Sequence, residues 1–318
     1  MEVGLMTAAT PSLVHQALLH SGTEEFLGAA VPFLREGFAT GDHIIAVIPG
    51  VRRDALRDVL GRDKERVEFF DATEFYRHPV RTIAAYHDVL RQVGSVRLRT
   101  LAELDWKNWD QDWERREWSR YEALVNAVFG GSNAQVICSY DRSLAPPPVV
   151  EQARRTHPEI FEGGLHPAYN DSYTRPEHYD AGRDRLPLPE IPADAARLPV
   201  TSLDLSPMRS FLTERALRMG LPEDRLGPLC MAVNEIATNA VVHGTPPIEF
   251  RVWRQDGALH CEVADVGLWH PEALTGFLPP ETAVDSGFGL WSARLLVDLL
   301  EIRAGYHGTR VRLRTACE

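Results

Sequence analysis

The chain has 318 residues, of which 44% are apolar and 25% are charged, and its formal net charge is -11. This length predicts two domains of ordinary size, and the composition is typical of a soluble globular protein. The acidic balance argues against nucleic acid as the primary partner, because phosphate binding needs concentrated Lys and Arg.

The sequence also lacks the signals that direct a chain into a membrane or out of the cell. No apolar run approaches the ~18 residues that a membrane span requires, and no basic segment followed by an apolar one opens the sequence. Four cysteines are scattered without CxxC spacing, at Cys138, Cys230, Cys261 and Cys317. We therefore expect a cytoplasmic protein with reduced thiols, without a disulfide framework or a zinc site.

Residues 12–180 alternate between strand and helix patterns. The predicted strands are Leu13–Leu19, His43–Ile48, Val67–Asp71, Val96–Leu101 and Gln135–Tyr140. The predicted helices between them are Glu24–Phe38, Arg52–Leu60, Val80–Val93 and Trp113–Phe129. Repeated strand–helix units of this length predict a doubly wound α/β domain, whose parallel sheet is covered by helices on both faces.

The first strand-to-helix turn bears on what this domain can bind. It reads Ser21-Gly22-Thr23-Glu24-Glu25-Phe26, whereas a phosphate-binding P-loop requires GxxxxGK followed by Ser or Thr. The turn has no Lys and no second Gly, and two carboxylates stand where phosphate would come. The sequence therefore indicates a binding or sensing module rather than an ATPase.

Two groups of side chains in this domain are candidates for a ligand site. Several His and Cys residues could meet at the carboxyl edge of the sheet and hold a ligand or metal ion, or could be unconnected. They are His15, His20, Cys138, His157 and His166. Four tryptophans could pack a helix onto the sheet, or could line an apolar pocket or partner surface. They are Trp106, Trp109, Trp113 and Trp118.

Short motifs in this half occur in the order found in a known sensory family. They are His15-Gln16-Ala17-Leu18-Leu19, Phe33-Leu34-Arg35-Glu36-Gly37, and Cys138-Ser139-Tyr140-Asp141-Arg142 followed by His157-Pro158. With them, residues 1–180 resemble the MEDS sensory domain, which is similar in fold to RecA-like ATPases but lacks a working P-loop. The resemblance implies a sensor of small, hydrocarbon-like signals, with His15 and Cys138 as candidates for ligand contact.

Residues 181–200 have the composition of a Pro-rich linker, and a second domain is predicted over residues 201–318. Four prolines interrupt the linker, which we expect to be semi-extended and not helical. The predicted elements of the second domain are a helix from Ser206 to Gly220, a helix from Pro222 to Gly244, a hairpin of Ile248–Trp253 and Ala258–Ala264, a helix from Ser286 to Leu300 and a strand Thr309–Leu313. Two helical layers against a mixed, mainly antiparallel sheet would make an α/β sandwich.

The helix that ends at Gly244 sorts its residues by face. An apolar stripe at helical spacing is predicted to face the core and comprises Leu229, Val233, Ile236 and Ala240. Glu235 and Asn239 lie one turn apart on another stripe, where a carboxylate and a carboxamide can hold a water and a hard cation. Taken alone, such a pair more often belongs to the solvated surface of an amphipathic helix.

Two turns downstream change this interpretation. Asp265-Val266-Gly267 follows a strand, where Asp265 can accept a hydrogen bond from an adenine amine and Gly267 lets the base approach the backbone. Gly287-Phe288-Gly289 opens a helix, whose free N–H groups can hold phosphate oxygens. Each turn is common by itself, but their order after the Glu/Asn helix indicates a nucleotide site.

Together the three segments resemble the N, G1 and G2 boxes of the GHKL ATPases, and most closely the anti-sigma-factor serine kinases, whose N box reads ExxxNAxxHG. The resemblance covers residues 201–318 and implies a GHKL (Bergerat) α/β sandwich that binds ATP and Mg²⁺. It implies as partners a sigma factor and a STAS-type antagonist, and it leaves a homodimer open. The resemblance implies that Asn239 coordinates Mg²⁺ and that Asp265 and Gly267 recognise adenine. It implies that the phosphates are bound by Gly287, Phe288 and Gly289, and that Glu235 is the general base towards a protein serine. His243 is expected to cap or pack the end of the helix.

Two departures from the family pattern separate ATP binding from phosphoryl transfer. Trp269 stands where the G1 box usually has a second glycine, and residues 268–288 contain no Lys or Arg. Asp285 occupies a position that is often basic, although a transferring phosphoryl group needs positive charge beyond Mg²⁺. Two hypotheses therefore stay open. The first is a sensor-coupled anti-sigma factor that phosphorylates a STAS-type antagonist, sequesters a sigma factor, or does both. The second is a non-catalytic partner-binding switch with a degenerate nucleotide site. The short linker has no room for the phosphoacceptor hairpin of a histidine kinase.

Overall fold

The computed structural model describes residues 12–109, 111–162, 166–179, 186–272, 274–277 and 288–317. The chain divides into two compact units, Met1–Tyr179 and Asp180–Glu318. A search of the described helices finds none with the length and apolar character to cross a membrane.

The first unit is built on a seven-stranded sheet with the order β3-β2-β4-β5-β1-β6-β7. Its strands are β1 (Val14–His20), β2 (His43–Ile48), β3 (Glu68–Asp71), β4 (Leu98–Ala102), β5 (Ala134–Asp141), β6 (Glu159–Glu162) and β7 (Ala168–Tyr169). Its helices are α1 (Gly22–Thr40), α2 (Gly50–Leu60), α3 (Ala72–Phe75), α4 (Pro79–Val93), α5 (Asp112–Val128), α6 (Pro147–Thr156) and α7 (Pro176–Tyr179).

The central strands of this sheet are covered on both faces, which explains their uninterrupted apolar sequences. All residues from Ile44 to Ile48 are buried, and all pairs except β6–β7 are parallel. One core contains Ala17 and Cys138, and the core on the other face contains Leu18 and Ile137. The predicted doubly wound parallel sheet is confirmed, with element ends that shift by a few residues.

The second unit has a five-stranded sheet with the order β11-β12-β10-β9-β8. Its strands are β8 (Ala196–Val200), β9 (Ile248–Gln255), β10 (Ala258–Asp265), β11 (Leu299–Gly305) and β12 (Gly308–Ala316), and its helices are α8 (Ser206–Arg218), α9 (Glu223–His243) and α10 (Phe288–Leu296). One core joins the helices to the sheet and includes Leu212, Leu229, Val233, Phe250 and Leu313. The predicted α/β sandwich is confirmed.

Several details of the second unit correct the sequence prediction. Every strand pair in the described sheet is antiparallel, not mixed, and all three helices contact the sheet, so they form one layer rather than two. The helix predicted to reach Leu300 ends at Leu296, and Leu299 begins β11. Periodicity does not separate a short apolar run in a helix from one in a strand, and here the antiparallel pairing with β12 decides.

The Pro-rich segment 181–200 is not a free linker in its described part. Residues 196–200 form β8 at the edge of the sheet, where Pro199 is tolerated because one side of an edge strand needs no ladder hydrogen bond. Before β8, the carbonyl of Leu186 accepts a hydrogen bond from Arg303 Nε (2.7 Å) and that of Pro189 accepts one from Arg312 Nη1 (3.0 Å). The segment is therefore fastened to the second unit.

The sheet face opposite the helices carries a buried ionic cluster. Glu262 of β10 is fully buried and accepts hydrogen bonds from Arg251 Nη1 (2.8 Å) and from Arg312 Nε and Nη2 (3.0 and 2.7 Å). The Arg312 guanidinium also lies 4.9 Å from the centre of the Trp253 ring. These contacts give the outer face of the sheet a fixed, charge-paired centre.

Candidate functional site

The predicted segments of the second unit converge on one cavity of about 630 Å³. The cavity is lined by Asn239 of α9, Asp265 at the end of β10, Gly267 after that strand, and Gly289 of α10. A cavity of this volume falls in the range of small-molecule and cofactor sites. Tertiary folding thus brings three segments that are distant in sequence to one place.

Helix α9 positions its polar pair by burying its apolar stripe. Leu229, Val233, Ile236 and Ala240 are at most 8% exposed, as the sequence predicts. Glu235 and Asn239 are half-buried, and Gly289 lies directly against both side chains. A Cβ atom on Gly289 would be 2.7 Å from Glu235 Oε2 and 3.6 Å from Asn239 Nδ2, so a larger residue would displace the Glu235 carboxylate. The N-terminus of α10 therefore faces the carboxylate and carboxamide of α9.

Asp265 is held in place by backbone donors. Its Oδ1 atom accepts hydrogen bonds from the N–H groups of Gly267 (2.7 Å) and Thr245 (3.2 Å), and the residue is 8% exposed. The hydrogen bonds of Asp265 within the described structure use Oδ1 alone. Oδ2 is therefore available to accept a hydrogen bond from a ligand amine.

The end of α9 is joined to the turn that follows β10. Val266 N–H donates to the carbonyl of Thr245 (3.0 Å), and the N–H of Gly244 donates to the carbonyl of Ala240 (2.9 Å). Gly244 is the C-cap of α9, but its backbone is extended (φ -81°, ψ -174°) rather than left-handed. A Cβ at Gly244 would lie 2.8 Å from Asp265 Cγ, so glycine is required here for close approach and not for its dihedral angles.

Thr309 is a lining residue that the sequence analysis missed. It pairs with Asp265 in the β10–β12 ladder, lines the cavity, and donates its hydroxyl to the carbonyl of Gly267 (3.2 Å). A single threonine at the start of a strand carries no signal of its own, and only the strand register brings it beside Asp265. Trp269 and the exposed His243 also line the cavity.

The described wall of the cavity has little positive charge. None of its described lining residues is Lys or Arg. Arg294 of α10 is buried, donates from Nη1 to the carbonyl of Leu300 (2.8 Å), and lies 4.0 Å from the centre of the Phe277 ring. Phe288, a predicted phosphate-site residue, is the first residue of α10 and is half exposed (48%). The predicted Gly287, and Asp285 before it, lie outside the described residues.

The His and Cys residues predicted to share a ligand site in the first unit are divided between places. His15, Cys138 and His157 lie together on the helix-covered face that also carries Glu122. His20 lies at the carboxyl end of β1, with Nε2 2.9 Å from Ser139 Oγ, and His166 is exposed. The five residues do not share one site at the carboxyl edge, because His15 is the second residue of β1 and lies five residues before the end of that strand.

The carboxyl edge of the parallel sheet has a separate cavity of about 410 Å³. Arg52 lines it and is bound to Asp141, to Glu103 Oε1 (3.5 Å) and to Thr23 Oγ1 (2.7 Å). Burial raises the pKa of Glu103 to about 7, against the opposing effects of Arg52 and of a hydrogen bond from Ser139. Arg52 is thus already committed to two carboxylates, which agrees with a turn that does not bind phosphate.

The tryptophan cluster packs mainly against the sheet. Trp106 and Trp118 are buried, the rings of Trp109 and Trp118 stack at 4.8 Å, and those of Trp106 and Tyr140 stack at 6.0 Å. Trp106 also lines the cavity at the carboxyl edge. The packing role predicted for these residues therefore coexists with contact to a cavity.

Comparisons with known proteins agree with the division into two units. A family model described as MEDS (MEthanogen/methylotroph, DcmR Sensory domain) matches residues 14–158, and one described as Histidine kinase-like ATPase domain matches residues 198–315. A search of curated proteins gives no match.

Solved structures are similar to parts of the chain at low identity. The RsbU and RsbW domains of Rv1364c from Mycobacterium tuberculosis are 22% identical over 38% of this chain and 32% of that chain, with a TM-score of 0.29. A blue-light activated histidine kinase from Erythrobacter litoralis is 23% identical over 30% of this chain and 32% of that chain, with a TM-score of 0.25. The catalytic domain of histidine kinase ThkA is 14% identical over 39% of this chain and 95% of that chain, with a TM-score of 0.26.

The chain thus spans about a third of the length of the first two structures that it matches. The two family models cover separate segments, in the order that the motifs predict. The chain therefore carries a segment that matches the MEDS sensory domain, followed by a segment that matches the histidine kinase-like ATPase domain.

Proposed function

We propose that the ATPase-like unit binds ATP·Mg²⁺ and phosphorylates a serine of a STAS-type anti-sigma antagonist, sequesters a sigma factor, or does both, in response to a small signal bound by the MEDS unit. The observation that carries this proposal is the cavity of about 630 Å³ in which Asn239, Asp265 and Gly289 meet. Each of these side chains or backbone groups has the chemistry that one part of the nucleotide needs.

The adenine end of the nucleotide is assigned to Asp265. Two backbone N–H groups fix Oδ1, and Oδ2 accepts a hydrogen bond from the exocyclic amine of the base. Gly267 lies beside this carboxylate, and a Cβ there would come within 2.7 Å of Asp265 Oδ1. A larger residue would displace the carboxylate that recognises the base.

The phosphate end is assigned to the junction of α9 and α10. The first N–H groups of α10 have no partner within the helix, so Gly289 and its neighbours can donate to phosphate oxygens. Asn239 faces the same place and supplies an oxygen ligand to Mg²⁺. Glu235 lies against Gly289, close enough to accept the proton of an incoming serine hydroxyl as the phosphoryl group is transferred.

A second function is favoured by the charge of the described wall. No Lys or Arg stands among the described lining residues, and Arg294 is engaged with Leu300 and Phe277. Transfer of a phosphoryl group requires cationic stabilisation that this wall does not provide. The alternative function is a partner-binding switch, in which the same surface sequesters a partner and the nucleotide is structural or absent.

Calorimetric titration of the full chain with ATP·Mg²⁺ tests the first step. We expect binding by the wild type and its loss in Asn239→Ala and Asp265→Asn. Asn234→Ala is a matched control on α9, because the Asn234 side chain contacts Arg209 (3.0 Å) rather than the cavity. Asp256→Asn is the control for the second variant, in the turn between β9 and β10. A wild type that binds no nucleotide at millimolar concentration would overturn the ATP assignment.

Incubation with labelled ATP and a STAS-domain protein separates the two functions. Phosphate transfer to a serine that is lost in Glu235→Gln supports the kinase. Tight binding of a sigma factor without any transfer supports the switch. Binding of neither a sigma factor nor a STAS protein would contradict the anti-sigma assignment for both.

A further inference from the structure

Four buried side chains in the first unit bring metal-binding atoms together, far in sequence from the nucleotide cavity. They come from different elements: His15 from β1, Glu122 from α5, Cys138 from β5 and His157 from the residue after α6. Their ligand atoms all lie within 4.8 Å of one another, and every one of the four residues is at most 4% exposed.

The separations match the edges of a tetrahedral metal site. His15 Nε2 is 3.3 Å from Cys138 Sγ and 3.5 Å from Glu122 Oε2, and His157 Nε2 is 3.5 Å from the same Glu122 oxygen. Tetrahedral zinc with bonds of about 2.0–2.1 Å to nitrogen or oxygen and about 2.3 Å to sulfur has ligand–ligand edges of roughly 3.3–3.6 Å. These three distances fall within this range, and the other separations between the ligand atoms are at most 4.8 Å.

Hydrogen bonds on the far side of each imidazole leave Nε2 for the cluster. His15 Nδ1 is 3.1 Å from Asn126 Oδ1, and the Asn126 amide nitrogen donates to the carbonyl of Thr156 (2.7 Å), which identifies Oδ1 as an acceptor. His157 Nδ1 is 2.9 Å from the carbonyl of Ala153, which can only accept. Both rings therefore carry a proton on Nδ1, as metal-bound histidines do when a neighbouring oxygen orients them.

The carboxylate at the centre of the cluster has no other neutralising partner in the described structure. Neither oxygen of Glu122 makes a hydrogen bond, nor does His157 Nε2, although all three atoms are buried. None of the ion pairs of Glu122 involves Lys or Arg in the part of the chain that the structure describes. Burying an uncompensated carboxylate costs several kcal/mol, so a positive charge must lie beside Glu122. Two imidazole nitrogens, a carboxylate and a thiol around one point are donors that can supply it by sharing a cation.

We propose that His15, Glu122, Cys138 and His157 bind a divalent transition-metal ion of the zinc class, with Cys138 as the thiolate. Two imidazoles, one thiolate and one carboxylate are ligands that zinc accepts in tetrahedral sites, and four protein donors complete the coordination. The absence of CxxC spacing does not argue against this site, because its ligands are contributed by four elements that meet only in the fold.

The space beside the cluster favours an ion over an organic ligand. The adjoining cavity, lined by His15, Glu122 and Cys138 together with Tyr76 and Tyr86, has a volume of about 30 Å³. A single water needs about 10–15 Å³ measured in this way, so the cavity holds one or two waters and no larger molecule. The metal ion itself, with at most a water-sized companion, is the occupant that fits.

Metal analysis of the full chain tests the proposal. The protein is stripped with a chelator, and titration with Co²⁺ is then followed by the absorption band that a thiolate–cobalt bond produces. We expect one equivalent of Co²⁺, displaced by Zn²⁺, with the band absent in Cys138→Ser and the stoichiometry reduced at least tenfold in Glu122→Gln. Cys230→Ser, which removes a half-buried thiol in the second unit, should retain both.

The wild type decides the outcome if a variant fails to fold. A stripped wild-type protein that keeps its circular dichroism spectrum and binds less than 0.2 equivalents of Co²⁺ and of Zn²⁺ would overturn the proposal. The four side chains would then be a hydrogen-bonded cluster in which protons supply the positive charge. A metal that binds equally well to the wild type and to Cys138→Ser would also contradict the site.

Discussion

Replacement of Gly244 by Ala tests the steric requirement at the end of α9. The added Cβ would lie 2.5 Å from the carbonyl oxygen of Ala240, 2.8 Å from Asp265 Cγ and 3.0 Å from Asp265 Oδ1. Real Cβ atoms essentially never approach heavy atoms closer than 3.0 Å. The last turn of α9 or the Asp265 carboxylate must therefore move by roughly half an ångström. In a tightly packed interior, a shift of this size is enough to reduce stability.

The loss of stability expected for Gly244→Ala follows from the contacts that the displaced groups make. Overpacking at a close contact costs about 1–3 kcal/mol, and Asp265 Oδ1 accepts two backbone hydrogen bonds that the displacement would weaken. We expect the second unit to lose about 2 kcal/mol of unfolding free energy, with at least a tenfold loss of ATP affinity if Asp265 recognises the base. Gly244 itself contacts no proposed phosphate group, so the affinity loss would act through Asp265.

Hydrogen exchange in the full chain at increasing urea concentration measures this effect, with peptides from β9 and β10 reporting on the second unit. Gly227→Ala on the same helix is the matched control, because a Cβ there meets no atom within 4 Å. Its gain in helix propensity is partly offset by the Pro228 that follows, so we expect a change within about 0.5 kcal/mol. A Gly244→Ala protein as stable as this control would refute the steric argument.

Two further changes probe charges buried in each unit. Glu262→Gln should destabilise the second unit by about 3 kcal/mol in urea unfolding, because it leaves the guanidinium groups of Arg251 and Arg312 without their buried carboxylate. Glu214→Gln, which removes a carboxylate from an exposed ion pair, should change the free energy of unfolding by less than about 0.5 kcal/mol. Equal effects of the two substitutions would contradict the role of burial. Burial raises the pKa of Glu103 from 4.5 to about 7, so the folded state binds this proton more tightly and the first unit should lose up to about 3 kcal/mol as the pH rises from 4.5 to 7. Urea unfolding at pH 5 and 7.5 should show a smaller pH difference in Glu103→Gln, and an unchanged difference would count against the raised pKa.

Local sequence was sufficient to predict the helices and strands whose apolar residues recur at a spacing that fits only one kind of element. The run of Ile44 to Ile48 predicts a strand buried on both faces, and the stripe of Leu229, Val233, Ile236 and Ala240 predicts the packed face of α9. Both are confirmed, because a residue's face in a regular element follows from its spacing alone. The prediction that the last helix reaches Leu300 was wrong. The same apolar residues fit both helical and strand spacing, and only pairing with β12 shows that they form a strand.

The motifs of the proposed nucleotide cavity could be predicted from the sequence, but not all of the residues that line it. The sequence order of Glu235, Asn239, Asp265 and Gly289 indicated a site, and family matching supports the domain that carries it. Thr309 entered the wall only through the register of β10 and β12. The sequence showed that residues 268–288 carry no Lys or Arg, whereas only the fold shows that Arg294 is turned towards Leu300 and Phe277.

By itself, the sequence predicted a parallel α/β unit without a P-loop and an α/β sandwich with three segments that resemble the boxes of an ATPase. These features depend on periodicity and short motifs, which neighbouring residues define. Only the tertiary structure decided that His15, Glu122, Cys138 and His157 share one buried point, and that Asp265 stands where a Cβ on Gly244 would come. Both are contacts between residues distant along the chain, and no local pattern specifies which distant atoms will meet when the cores form.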